Sequence, residues 1–138
     1  MAQQVQPVSV GADVDSQCIE IAVYGAEHTE RIENTPEAIQ AWLAGQSAAT
    51  ELALEVTGEY HIELLEQAFA AGLRVYLINP QWLCHYRKGV GQRNKTDRAD
   101  ARLLARYVAH ERDALRPWEA PPAGQRALAS LLKRRAKL

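Results

Sequence analysis

Residues 8–24, VSVGADVDSQCIEIAVY, decide how this chain folds. Residues 8–15 alternate loosely between apolar and small or polar side chains, as a strand does. Residues 18–24 alternate more clearly: Ile19, Ile21 and Val23 share one face, and Cys18, Glu20, Ala22 and Tyr24 share the other. The first face is wholly β-branched and is expected to meet the core. Between the strands, Asp15-Ser16-Gln17 leaves room only for a tight turn, which makes the pair a hairpin. Gly11 lets the first strand come close to a neighbour or a ligand.

Working outward, Gly25-Ala26 turns the chain into residues 28–32, a polar stretch that reads as an edge strand. Thr35 can cap a helix that has Pro36 in its first turn, Ile39, Trp42 and Leu43 on its apolar face and Gly45 at its close. Residues 51–56 (ELALEV) read as a strand buried on both sides. A helix over about 60–71 follows, with Ile62, Leu65, Ala68 and Phe69 at helical spacing and Gly72 at its end. Residues 75–78 are a short apolar strand, and Asn79-Pro80 opens a helix over 81–88. Trp82, Leu83 and Tyr86 can share a face of that helix, which predicts core packing for them. Thr96 is a natural cap for a helix from 97 to about 110, whose buried stripe is Leu103, Leu104, Tyr107 and Val108. Residues 117–124 (PWEAPPAG) form a linker or extended arm, and 125–138 read as helix. The last helix ends without a capping turn, as expected of a fragment whose helix continues.

Three strands, a helix, a strand, a helix, a strand and then helices is the ribonuclease H-like (resolvase-like) order: a mixed five-stranded α/β sheet flanked by helices. A doubly wound, flavodoxin-like sheet is the competing arrangement. The opening hairpin disfavours it, because no helix separates the first two strands. No glycine-rich phosphate loop follows the first strand, which excludes a Walker site and a dinucleotide fingerprint.

The 138 residues suit one domain, and an apolar content of 47% is that of a globular one. No apolar run is long enough to span a membrane, and residues 1–10 lack a secretory pattern. Cys18 and Cys84 form no ligand pair and are expected to be buried or half-buried thiols. A cytoplasmic, bacterial setting with no membrane partner is the expectation. The net charge of -1 hides an asymmetry. Residues 1–72 carry 12 acidic side chains and one basic one, and residues 73–138 carry 15 basic and 5 acidic ones. Such a split either marks a nucleic-acid face or lets the two halves attract each other.

Asp97 and Asp100 lie one helical turn apart in the most basic part of the chain. Asp100 is in phase with Leu103 and Leu104, so it points inward, whereas a solvated pair would face away from that stripe. Asp13 lies in the first strand and Glu55 near the end of the fourth, and the topology makes those strands neighbours. Four carboxylates brought together in this way suit hard cations, magnesium or manganese rather than zinc. Such a site can hold two ions about 4 Å apart, one activating a water and the other stabilising the leaving oxygen in phosphoryl transfer. Asp15 is a competing ligand two residues after Asp13. Lys88, Arg93, Lys95, Arg98 and Arg102 are candidate phosphate contacts; a solvated basic face is the alternative. His61 is close enough in sequence to Glu55 to line the site. No histidine pair has metal-ligand spacing, and no serine has a base partner.

Gly11-Ala12-Asp13-Val14, then Glu55-Val56-Thr57-Gly58-Glu59-Tyr60-His61, then Asn79-Pro80, then Lys95-Thr96-Asp97-Arg98-Ala99-Asp100-Ala101 resemble, in order, the motifs of one family. This is the N-terminal domain of the DEDD transposases of bacterial insertion sequences, which are similar also to pilin-gene inverting recombinases. The resemblance covers about residues 8–110. It implies magnesium held by Asp13, Glu55, Asp97 and Asp100, DNA as substrate, and dimers or tetramers joined partly through a following helical segment. It also implies a downstream domain with a nucleophilic serine and, in some members, a structured guide RNA. A serine and a lysine commonly follow the first motif in the family; Asp15 and Ser16 stand there in this chain, which removes a basic contact at that edge. The domains expected are a catalytic one over 1–116 and, over 117–138, a linker and the start of an oligomerising helical segment. The activity expected is metal-dependent DNA strand cleavage and transfer in transposition or site-specific recombination. A junction-resolving nuclease that only hydrolyses, or a non-catalytic nucleic-acid-binding and dimerisation module, are the alternatives.

Overall fold

The computed structural model describes residues 6–56, 58–91 and 96–122, with the backbone alone at Asp97. One mixed sheet of five strands runs through the domain: β1 (Val8–Val14), β2 (Cys18–Val23), β3 (Thr29–Glu33), β4 (Thr50–Glu55) and β5 (Arg74–Ile78). Their spatial order is β3-β2-β1-β4-β5. The hairpin read from the opening stretch is present, with β1 antiparallel to β2 and Asp13 opposite Glu20. Asp15 N–H donates to the Cys18 carbonyl across the turn at 2.9 Å. Strands β1 and β4 are parallel, as are β4 and β5, and each parallel pair is bridged by a helix. The polar β3 is the edge strand expected of it.

Four helices cover the sheet: α1 (Pro36–Ala44), α2 (Ile62–Ala70), α3 (Pro80–Gly89) and α4 (Asp97–Glu111). Three are capped by the residues their sequence suggests. Thr35, Asn79 and Thr96 accept side-chain bonds from the N–H groups of Ala38, Gln81 and Ala99 at 3.2, 2.8 and 3.1 Å. Each cap satisfies a donor that the helix itself leaves open. At the other end of α2, Gly72 takes φ +89°, which lets Leu73 N–H reach back to the Ala68 carbonyl. No described helix is long and apolar enough to cross a membrane.

The period of two along each strand divides the core between the two faces of the sheet. On one face Val10, Ala12, Ile19, Ile21, Leu52, Leu54 and Val75 pack against Ile39, Trp42 and Leu43 of α1 and Leu64, Leu65 and Ala68 of α2. On the other, Ala53, Tyr76 and Ile78 meet Leu83 of α3 and Leu103, Leu104 and Val108 of α4, and Ala22 meets Ala101 and Ala105. Each fully buried Leu or Ile contributes roughly 1.5–3 kcal/mol of transfer free energy. β1 is therefore covered on both sides, and α4 crosses it at the distance set by Gly11. A Cβ on Gly11 would stand 2.1 Å from the Ala101 carbonyl oxygen.

Several expectations change. The apolar face of α2 is centred on Leu64 rather than Ile62, and Phe69 is exposed. Phe69 stacks edge-on against Trp118, with centroids 5.1 Å apart. Trp82 is 55% exposed instead of packed in the core, because α3 lies outside α4 and buries only Leu83. Cys84, next along that helix, faces outward too. The second face of β2 is covered as well, since Ala22 meets α4 and Glu20 is buried beside it. Residues 115–122 form no regular element, in keeping with an extended arm, and Trp118 N–H bonds to the Val75 carbonyl along the β5 edge. The helix read over 125–138 lies outside the described residues.

Candidate active site

The last paired residues of β1 and β4 are Ala12 and Leu54. One residue further along each strand stand Asp13 and Glu55. Alternation puts both on the α4 side, since Ala12 and Leu54 belong to the opposite core and Ala53 to the α4 core. Both carboxylates are half-buried. Across the hairpin, Glu20 is opposite Asp13 and is 3% exposed. Three neighbouring strands thus present acidic residues in one row at the carboxyl ends of β1 and β4.

The first turn of α4 lies over that row. Helix α4 runs antiparallel to β1, which four contacts establish in order along it. Arg98 Nε is 3.5 Å from Glu20 Oε1, Ala101 and Ala105 abut Gly11, His110 Nε2 meets the Tyr24 hydroxyl at 2.9 Å, and Arg112 reaches Ser9. Asp97 and Asp100 therefore enter from the helix end that overlies Asp13 and Glu55. Asp100 is 6% exposed, so the inward phase read from the Leu103–Leu104 stripe holds. Its Oδ1 accepts from Arg87 Nη2 at 2.5 Å. Asp15, the competing ligand, stands exposed in the turn and accepts from Ser16 N–H. His61 is buried at the start of α2, just beyond the end of β4.

Of the candidate phosphate contacts, Arg93 and Lys95 lie outside the described residues. Lys88 is exposed in the last turn of α3. Arg98 is 75% exposed beside Glu20, and Arg102 Nη2 donates to the Glu27 carbonyl at 2.6 Å. Part of the charge asymmetry is also consumed internally, since Arg98, Arg74 and Arg112 of the basic half meet Glu20 and Glu51 of the acidic half.

In type these carboxylates suit a hard divalent cation. Among the described residues, however, no three His, Cys, Asp or Glu side chains are grouped closely enough to hold one. Asp100 instead faces a guanidinium. Sequence reading missed Arg87 and Glu20. The signal for Arg87 was its place in the final turn of a helix opened by Asn79-Pro80, which brings it level with the start of the next helix.

Comparison with solved structures gives the fold. Thermus thermophilus RuvC aligns with a TM-score of 0.58 at 17% identity, covering 79% of this chain and 99% of that one. The same protein in complex with a Holliday junction substrate aligns at 0.55 and 16%, covering 80% and 99%. The fold is ribonuclease H-like and resolvase-like. Residues 10–138 match the IS110-type DEDD transposase family, and the chain belongs to it. Pilin gene-inverting proteins of Moraxella lacunata and Moraxella bovis are each 37% identical over 89 residues, 64% of this chain. The chain spans 27% of the length of these curated relatives.

Proposed function

We propose that this domain cleaves and transfers DNA strands in a metal-dependent recombination reaction, as the N-terminal part of a larger recombinase. The observation that carries this reading is the convergence of Asp13, Glu55 and the first turn of α4 at one end of the sheet. Asp13, Glu55, Asp97 and Asp100 would hold magnesium, or manganese in its place. Held there, such ions would supply an activated water or hydroxyl and stabilisation of charge on the leaving oxygen. The chain's own residues do the rest. The two strands fix Asp13 and Glu55 side by side, the Thr96 cap sets the first turn of α4, and Lys88, Arg93, Lys95, Arg98 and Arg102 contact phosphates. The name of the Moraxella relatives, which invert a gene, favours recombination over simple hydrolysis.

Residues 1–116 act as the catalytic domain and 117–138 as the linker into an oligomerising segment. The working protein is a dimer or tetramer in the bacterial cytoplasm, and a structured guide RNA, used by some members of the family, is a candidate partner. A junction-resolving nuclease is the second reading, favoured by the likeness to RuvC bound to a Holliday junction. Magnesium-dependent nicking of branched DNA tests catalysis: Asp13→Asn, Glu55→Gln, Asp97→Asn and Asp100→Asn should each abolish it while leaving DNA binding. Nicking that persists through all four substitutions would falsify the assignment. Covalent capture of DNA on a serine of the full-length protein separates strand transfer from hydrolysis.

A further inference from the structure

Arg87 and Asp100 come from different helices and meet with little water around them. Their side chains are 17% and 9% exposed. A pair of charges withdrawn this far from solvent is costly unless the remaining donors and acceptors are bonded. Here the grip is one-armed. Nη2 bonds Oδ1, while Arg87 Nε is buried and makes no hydrogen bond among the described residues. A guanidinium selected for stability alone would close its fork on the carboxylate. Instead it presents one cationic corner to one oxygen, at the end of the sheet where Asp13 and Glu55 stand.

We infer that Arg87 is a built-in counter-cation: it holds Asp100 Oδ1 in the metal-free domain, and a divalent ion loads by displacing it. The inference rests on reading Asp100 as a metal ligand. The guanidinium and a dication drawn to the same carboxylate repel each other across it, where little water screens them, so the two compete for Asp100. Neutralising Asp100 also limits the repulsion among acids gathered at this end while no ion is bound. Arg87 sits in the last turn of α3, where Lys88 and Gly89 are exposed. Arg87 is thus a positioning residue that sets the threshold for metal loading.

The test is calorimetric titration of Mn2+ into the wild-type protein and into Arg87→Gln, Arg87→Lys and Asp100→Asn, with thermal melts at each end point. Arg87→Gln should bind Mn2+ roughly tenfold tighter than wild type, equivalent to about 1.4 kcal/mol. It should melt lower without Mn2+ and gain more on its addition. Arg87→Lys keeps a charge without the fork and should fall between the two. Asp100→Asn should lose binding. If Arg87→Gln binds no more tightly than wild type while Asp100→Asn still loses binding, Arg87 does not compete, and the metal-site reading stands without it. If Mn2+ binds to no variant, or Asp100→Asn binds as wild type does, the metal-site reading fails and takes this inference with it. Should Arg87→Gln show no cooperative melt, Arg87→Lys decides: tighter binding than wild type supports competition, and equal or weaker binding overturns it.

Discussion

Replacing Gly11 with alanine adds one methyl group where α4 crosses β1, and its effect can be worked from the crossing. An ideal Cβ there would lie 2.1 Å from the Ala101 carbonyl oxygen, 2.4 Å from the Ala105 nitrogen and 2.8 Å from Leu104 Cβ. Two of those three neighbours are helix backbone, so no rotamer change relieves the clash. β1 cannot retreat, because β2 and β4 are hydrogen-bonded to it on either side. The helix must lift by roughly 1 Å, and a gap of that size forfeits about a quarter to a half of each dispersion contact it opens. Leu104, Val108 and Ala105, all at most 1% exposed, lie on the lifted face.

Overpacking of this kind costs about 1–3 kcal/mol. For a domain of this size that is a fall in melting temperature of roughly 3–12 °C. The sign is diagnostic, since Gly→Ala at a site with compatible backbone and free space stabilises by about 0.4–1 kcal/mol through the unfolded state. Gly89 is such a site, with nothing within 4 Å of its Cβ position, and serves as the control. Differential scanning calorimetry of Gly11→Ala, Gly89→Ala and wild type reads both effects. Lifting α4 also carries Asp97 and Asp100 away from Asp13, so Mn2+ affinity should fall in Gly11→Ala alone. A Gly11→Ala protein as stable as wild type would refute the close crossing and the site geometry built on it.

Arg112→Ala should destabilise by about 3 kcal/mol in denaturant titration, because it strands Glu51, only 2% exposed, without the guanidinium that donates to it at 2.8 and 3.0 Å. Adding Glu51→Leu to that variant should restore most of the loss, which a merely additive pair would not do. Thr96→Ala removes the cap of α4 and should cost about 1 kcal/mol, together with a drop in Mn2+ affinity measured by titration. Burial, then the nearby Glu111 and Tyr86, raises the Tyr107 phenol above its ordinary 10.0. The folded state therefore holds that proton longer than the unfolded one. Stability from this source is complete below pH 10 and is lost as pH rises through the folded-state value. Melts across that range should fall less steeply in Tyr107→Phe.

The strands, three of the helix caps and the inward phase of Asp100 were legible because each rests on a pattern within a few residues. Thr35, Asn79 and Thr96 cap helices that begin at the next residue. What failed to show depends on partners distant in the chain. Period-two alternation placed Glu20 on the face opposite Ile19 and Ile21, and nothing near it reveals that α4, far downstream, will cover that face. Trp82 and Leu83 look equally apolar, and only the outer position of α3 separates a 55% exposed indole from a buried leucine. Arg87 was one of several basic residues in a polar stretch. Its role depends on where α3 meets α4, a distance that periodicity does not encode.

The face of the sheet under α4 has two polar ends joined by a close-packed middle of Gly11, Ala53, Ala101 and Ala105. At one end Glu51 takes both oxygens to Arg112, with Ser9 bonded to each of them, and Arg74 stands 3.9 Å off. This end fastens the last turn of the helix to the first residues of β1. At the other end acids arrive from three strands and a helix, Glu20 is paired with Arg31 and Arg98, and Asp100 is met by a single guanidinium corner. One helix therefore carries a closed ion pair at its C-terminal end and carboxylates gathered at its N-terminal end. Fastening one end lets the other hold acids in register on a rigid frame, which is what a cation site needs.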